Sequence, residues 1–275
     1  MIEGVHKEIV KRRSQKVSVT ENPLLDKVSF VLPAYNEANL IKAVVQSLRR
    51  VAENSNIRDY EVIVVDDGST DGTREEVLKI SDGVCVKAIG YDNNMGKGFA
   101  VKHGVECASG DIMVFLDSDM DIKSSGLQTY IDALRNWDLI IASKRHPESR
   151  VEASFMRRFL SFGFNVLVKL LVGVKVSDTQ SGLKAGKAEA VRKIFGLLSV
   201  KKYAFDVEMV TVAQLLGLRI KELPVEIRLR GRFRIRDIVR MFIDILGIVY
   251  RLRVKRWYQA NLHNEQCVYK PIIKW

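Results

Sequence analysis

The sequence predicts an α/β protein: a doubly wound, mostly parallel sheet followed by a C-terminal amphipathic helical appendage. Three observations predict it. From Val28 onward, short apolar runs alternate with segments of helical periodicity, the pattern of β-α-β units. Each of the first four runs ends in a polar loop, and in a doubly wound sheet such loops gather at the carboxyl edge where ligands bind. Near the end the composition changes: residues 228–256 carry ten Lys or Arg against two Asp.

With 275 residues, 47% of them hydrophobic, the chain has enough apolar mass for one large domain with a full core, which excludes a disordered class. Residues 1–27 are expected to be a basic tail, residues 28–230 the domain, and residues 231–275 a basic, membrane-associating segment. No run suits a signal peptide or reaches the ~18 apolar residues of a spanning helix, so the chain is not expected to cross a membrane. Cys85, Cys107 and Cys267 are odd in number and lack C-x-x-C spacing, which argues against a disulfide framework or zinc site and suits a reducing cytosol. The net charge of +11 attracts phosphates. Among the alternating arginines of residues 228–236 Phe233 is the one aromatic, too little of a platform for stacking bases, so no nucleic-acid partner is expected.

Val28–Leu32 reads as the first strand, stopped by Pro33, and Leu40, Ile41, Val44, Val45, Leu48 and Val51 mark the buried face of the helix after it. Tyr60–Val65 is the second strand, and the loop Asp66–Thr73 leads into a helix. Val84–Ile89 is the third, followed by the loop Asn93–Gly98 and a helix to Ala108. That loop completes neither G-x-G-x-x-G nor a P-loop. The fourth strand begins at Asp111, Trp137–Ser143 is the fifth, and Leu218–Ile227 reads as one last strand. Helices are expected over Met156–Val172, Lys187–Leu197 and Ala204–Leu216. From Ile235 to Arg253, Asp237, Arg240, Asp244 and Arg251 fall on one helical line, with Ile238, Val239, Phe242, Ile245, Leu246 and Val249 opposite. Such a face suits either a bilayer surface or packing on the domain or a second subunit.

The fourth strand ends in Asp117, Asp119 and Asp121. Alternate residues of an extended chain share a face, so the three carboxylates converge. Their repulsion is relieved by a divalent cation, Mg²⁺ or Mn²⁺; the alternative is an acidic turn that caps the next helix.

Five segments in order, Pro33–Glu37 (PAYNE), Val64–Thr73, Asn94–Gly98, Asp117-Ser118-Asp119 and Asp178–Gly182 (DTQSG), resemble glycosyltransferase family 2, and within it the dolichyl-phosphate hexose synthases. The resemblance spans about Val28 to Arg253. It implies a GT-A fold and inverting transfer of one sugar from a nucleotide-sugar donor to dolichyl or polyprenyl phosphate at the cytoplasmic membrane face, by a peripheral enzyme. Pro33, Tyr35, Glu37 and Asp67 would hold the nucleoside and Lys97 the donor phosphates. Asp117 and Asp119 would carry the metal, with Asp121 as a third candidate where some relatives have a neutral amide. Arg145, Gln180, Ser181, Arg230, Arg232 and Arg234 would meet acceptor phosphate, Arg234 standing at the lysine of the family's Gly-x-Ser-Lys loop, and Asp206 or Glu208 the sugar. The segment Tyr203–Met209 is more similar to the glucosyltransferases than to the mannose synthases, which favours UDP-glucose over GDP-mannose. A homo-oligomer is left open.

The acceptor class also follows from chemistry. A sugar hydroxyl needs a general base, whereas a phosphate monoester, with its second pKa near ~6, arrives already anionic. The chain has no Q-x-x-R-W signature of the polymerising relatives. Asp178 is then either a base or a loop cap. The competing expectation is a soluble family 2 enzyme acting on a small-molecule or glycan acceptor.

Overall fold

The computed structural model describes residues 27–55, 57–117, 124–153, 155–200, 202, 204–228 and 235–262. In chain order these form β1 (Val28–Ala34), α1 (Ile41–Asn54), β2 (Tyr60–Asp67), α2 (Thr73–Ile80), β3 (Val86–Tyr91), α3 (Lys97–Cys107), β4 (Ile112–Phe115), α4 (Ser124–Ala133) and β5 (Leu139–Ser143). There follow β6 (Arg150–Glu152), α5 (Phe155–Val172), β7 (Lys184–Lys187), α6 (Ala188–Leu197), α7 (Phe205–Leu215), β8 (Ile220–Pro224) and β9 (Glu226–Arg228). The last elements are α8 (Ile235–Val249), a π-helical turn (Tyr250–Val254) and α9 (Trp257–Asn261).

Seven strands make one sheet in the order β3-β2-β1-β4-β7-β5-β8, parallel except for β7, which runs antiparallel to both neighbours. The central strands are buried on both faces, as their continuous apolar runs require. Ile41, Val45, Leu48 and Val51 of α1 join Val77 of α2 and Tyr130 of α4 on one face. The opposite face carries α3, α6 and α7, and Ile245, Ile248 and Tyr258 bring α8 and α9 into the same core.

Several boundaries differ from expectation, each for a local reason. Pro33 does not stop β1; it pairs in register with Val65. Val31 faces β4, accepting a hydrogen bond from Leu116 N at 3.2 Å, and Pro33 faces the same way one step beyond the last β1–β4 pair, so its missing N–H leaves no rung unmade. Leu40 precedes the helix and is exposed, and Val84 is exposed in a turn made by Asp82, whose carboxylate accepts from Val84 N (3.0 Å) and Val86 N (2.7 Å). The single strand expected over Leu218–Ile227 is two. At Val225 the chain leaves the large sheet, its N–H donating to Ser149 Oγ at 2.9 Å, and β9 pairs with β6 instead. Neither β6 nor β7 was foreseen: β7 is Lys-Ala-Gly-Lys, without a β-branched residue.

Of the two faces left open for α8, the apolar one turns outward, and α5 behaves alike: each helix sends polar residues inward, though Lys169 of α5 and Arg240 of α8 stay exposed. In α5 the buried Asn165 donates to Ser177 O at 2.8 Å, while Phe159, Phe162 and Leu170 are exposed. In α8 the core takes Met241, Ile245 and Ile248; Asp244 is half-buried beside them, and Val239, Phe242, Ile243 and Leu246 face outward. Ile245 is thus core, not part of the outer face. The rotation has a cause: Glu208 of α7 is completely buried, and Arg251, on the polar line, reaches in to it at 3.4 Å.

Candidate active site

The loop after β1 is locked to the loop after β2. Asn36 adopts a left-handed conformation (φ 56°), donates from its N–H to Ser69 Oγ at 3.0 Å, and accepts from Thr70 N at 2.9 Å through its side chain. Glu37 N donates to Thr73 Oγ1 at 2.8 Å and Ala38 N to Asp71 Oδ2 at 3.1 Å. The Thr73 hydroxyl, with the Ala38 and Thr73 amides, holds the Asp71 carboxyl below the usual range. Strain at Asn36 is thereby stabilised, and Tyr35 is left projecting, 47% exposed.

Asp67 ends β2 and is buried. Its oxygens accept from Tyr91 Oη at 2.7 Å, Asn94 Nδ2 at 3.0 Å, Met95 N at 2.8 Å and Gly96 N at 3.0 Å. Burial raises its pKa against these donors, and it raises that of the Tyr91 phenol too. Asp67 thus braces the loop that carries Lys97. Gly68 (φ +68°) permits this: a Cβ there would stand 2.5 Å from the Asn93 carbonyl carbon.

Lys97, at the start of α3, lies between two carboxylates. Its Nζ is 2.5 Å from Asp117 Oδ1, just past the end of β4, and 3.9 Å from Asp206 Oδ2, in the first turn of α7. Asp206 Oδ1 accepts from Lys184 Nζ at 2.6 Å, and that ammonium also donates to Ser181 O at 2.6 Å. A chain of alternating charge therefore crosses the carboxyl edge of the sheet, from Asp117 to the DTQSG loop. Pro33, Phe115, Gly182 and Phe205 line the same pocket.

The DTQSG loop is held from behind. Glu222 of β8 accepts from Ser177 N (2.9 Å) and Asp178 N (3.1 Å). Asp178 accepts from Lys144 N at 3.0 Å, pairs with Lys144 Nζ at 3.0 Å and accepts from Gln180 N at 3.0 Å. The hydroxyls of Thr179 and Ser181 are buried without a hydrogen-bond partner among the described residues. Arg145 donates to Ser161 O at 3.2 Å and lies 5.2 Å from the Phe162 ring centre, both on α5.

The structure thus brings together Pro33, Lys97, Asp117, Ser181 and Asp206. Tyr35, Glu37 and Asp67 stand on the adjoining loops, with Arg145 and Gln180 beside the DTQSG loop. Glu208 is elsewhere: its carboxylate accepts from Ser199 N (3.0 Å), Val200 N (2.7 Å) and Tyr258 Oη, so it anchors the C-terminal helices and does not line the pocket. Asp119, Asp121, Arg230, Arg232 and Arg234 lie outside the described residues. Among those described, no three His, Cys, Asp or Glu side chains are grouped as metal ligands. Sequence reasoning missed Lys184, Lys144 and Glu222. Lys184 left a trace, a charge set among Leu183, Ala185 and Gly186.

A sequence model described as Glycosyl transferase family 2 matches residues 29–195. The mouse dolichyl-phosphate beta-glucosyltransferase is 34% identical over 226 residues, covering 76% of this chain and 69% of its own. A dolichyl-phosphate beta-glucosyltransferase of Trichomonas vaginalis is 29% identical, over 83% of this chain and 72% of its own. Mannosyl-3-phosphoglycerate synthase from Rubrobacter xylanophilus superposes with a TM-score of 0.65 at 20% identity, over 86% of this chain and 77% of that one. Glucosyl-3-phosphoglycerate synthase from Mycobacterium tuberculosis, solved with Mn²⁺, UDP and glucosyl-3-phosphoglycerate, gives 0.63 at 21% identity, over 82% and 79%. These likenesses show a shared α/β fold, and the match over residues 29–195 takes in every one of the five ordered motifs. The chain therefore belongs to glycosyl transferase family 2.

Proposed function

We propose that the protein transfers one hexose, with inversion, from a nucleotide-sugar to dolichyl or another polyprenyl phosphate, UDP-glucose being favoured over GDP-mannose. The observation that carries this reading is where α5 lies. Its exposed apolar side chains, Phe159, Phe162 and Leu170, sit on a helix whose inner side is tied to the DTQSG loop through Asn165 and to Arg145 through Ser161. A polyprenyl chain along that face would bring its phosphate to the loop. The relatives named for dolichyl phosphate support the same acceptor.

Asp178 is committed to Lys144 and to backbone amides, which suits an acceptor that needs no general base. Lys97, Lys184 and Arg145 supply positive charge where an anionic nucleophile approaches an anionic donor, and Arg234 at the acceptor side would add to it. Asp67 keeps the Lys97 loop in place, and Tyr35 and Glu37 border the nucleoside side.

A divalent ion, Mg²⁺ or Mn²⁺, fits the donor set: Asp117 offers a hard carboxylate oxygen that already faces a cation, the Lys97 ammonium at 2.5 Å. Asp117 and Asp119, with Asp121 close in sequence, would hold it. When bound, it neutralises charge on the departing diphosphate.

α5 and α8 pack against each other, each keeps an outward apolar face, and exposed Arg253, Lys255 and Arg256 follow α8. This surface suits an anionic cytoplasmic leaflet, reached peripherally; no helix of the described residues is long and apolar enough to cross a membrane. The test is incubation with labelled UDP-glucose or GDP-mannose plus polyprenyl phosphate, followed by organic extraction. Label from UDP-glucose is expected in the organic phase. Label passing only to water-soluble acceptors would favour a soluble family 2 enzyme instead.

A further inference from the structure

Lys97 stands between two glycines, and each is tied to a buried carboxylate, one directly and one through a strap of backbone. On the first side Gly96 N donates to Asp67 at 3.0 Å. On the second, Gly98 is pressed by the segment that joins α6 to α7: a Cβ on Gly98 would stand 2.9 Å from Val200 O and 2.7 Å from Phe205 Cβ. Only glycine lets that segment come so close to α3. The Phe205 ring continues the contact, 5.5 Å from Lys97 Nζ.

Glu208 holds the strap, and its two oxygens divide their partners. Oε2 accepts from Ser199 N at 3.0 Å and from Val200 N at 2.7 Å. Oε1 accepts from Ser199 Oγ at 2.8 Å, Arg251 Nη2 at 3.4 Å and Tyr258 Oη. One oxygen thus fixes the backbone that leans on Gly98, while the other takes the C-terminal helices and the Ser199 hydroxyl. Taking this charge completely out of water is costly, and anchoring α8 and α9 would use the second oxygen alone. Val200 is the link: its N–H donates to Glu208 and its carbonyl oxygen lies against Gly98.

We infer that Glu208 is a positioning residue for donor binding: through Val200 it sets the start of α3 against α7, and so fixes where Lys97 meets the donor diphosphate. Asp67 holds the loop in front of Lys97, and Glu208 holds the helix behind it. The inference rests on the reading of Lys97 as a donor-phosphate group.

The test compares UDP with uridine, binding to the full chain by calorimetry with Mg²⁺ present, because a displaced Lys97 loses phosphate contacts and leaves those of the nucleoside alone. GDP with guanosine is the second pair, and thermal unfolding is the control for fold. Glu208→Gln keeps the shape but sets an uncharged amide, with donors of its own, against groups that all donate. It is expected to weaken UDP about fivefold to tenfold and to leave uridine within about twofold. Gly98→Ala pushes the strap away without touching Glu208 and is expected to do the same, so it carries the test if Glu208→Gln does not fold. Tyr258→Phe removes a donor from Oε1 only and is expected to keep the UDP affinity of the parent. In a Lys97→Met background, Glu208→Gln is expected to change UDP binding by less than about twofold, the signature of action through Lys97. An equal loss for UDP and uridine, no loss for either, an equal loss in Tyr258→Phe, or an undiminished loss beside Lys97→Met overturns the inference and leaves the donor site standing. A parent that binds neither diphosphate more tightly than its nucleoside, or a Lys97→Met that binds UDP like the parent, overturns the phosphate reading of Lys97 and the inference with it.

Discussion

The phenol of Tyr258 donates a hydrogen bond to the carboxylate of Glu208, fifty residues earlier in the chain, and both side chains are completely buried. Arg251 donates to the same phenol at 3.1 Å. Burial and the neighbouring carboxylate push the phenol's ionisation up, so it remains a donor at any ordinary pH. Tyr258→Phe removes one donor from a buried charge and is expected to cost about 1–3 kcal/mol of stability, measured as a lower urea midpoint with unchanged slope. A variant as stable as the parent would mean that Arg251 and the Ser199 and Val200 amides suffice alone.

At the opposite edge of the sheet Glu61 is also completely buried, accepting from Lys87 Nζ (2.5 Å), Ser29 Oγ (2.6 Å) and Ser109 N (2.7 Å). Burial alone would raise its pKa, but the hydrogen bonds outweigh burial and hold it at about 2. A folded value below the unfolded one stabilises the protein above the unfolded pKa, and that stabilisation is lost as pH falls through the folded value. On the order of 3 kcal/mol is at stake. The stability gap between the parent and Glu61→Gln is expected to be full near neutrality and to shrink as pH falls from about 4.5 toward about 2. A gap constant with pH would assign the cost to shape and not to charge.

Asp119→Asn is expected to lower transfer more than about a hundredfold with the fold intact, since it neutralises a proposed metal ligand. EDTA should reproduce the loss in the parent and added Mn²⁺ should restore it. Full turnover in chelated buffer would sink the metal assignment.

Phe242 and Leu170 face outward on α8 and α5, at 40% and 72% exposure. Each apolar side chain of this size contributes about 1.5–3 kcal/mol when fully withdrawn from water. Phe242→Glu with Leu170→Glu is therefore expected to weaken co-sedimentation with anionic liposomes at least about tenfold while nucleotide binding is unchanged. Equal sedimentation of variant and parent would return both faces to contact with another protein.

The strands and the ligand edge were legible because long apolar runs leave little choice of register, and because PAYNE, the Asp66–Thr73 loop and the Asn94–Gly98 loop each follow such a run. Lys184 and β7 were not: four residues of small or charged type carry no strand signal, and only pairing with β4 and β5 makes them a strand. Glu208 looked like a site residue because it is two positions from Asp206, but residues two apart on a helix point away from each other. The polar lines of α5 and α8 were visible, yet their direction was not. Periodicity locates a stripe; the partner on the inner side, Ser177 for Asn165 and the buried Glu208 for Arg251, decides which way it faces.

The antiparallel insertion of β7 also makes it the one strand that bridges the two halves of the sheet. β1 to β4 pair among themselves from residues 28–115, and that half can form as soon as β4 is made. β5 has no partner in that half: the strands it pairs with are β7 and β8, which lie beyond it in sequence. The strand that joins the two halves is thus the one that delivers Lys184, so the line of charges from Asp117 to the DTQSG loop is complete only in the closed sheet.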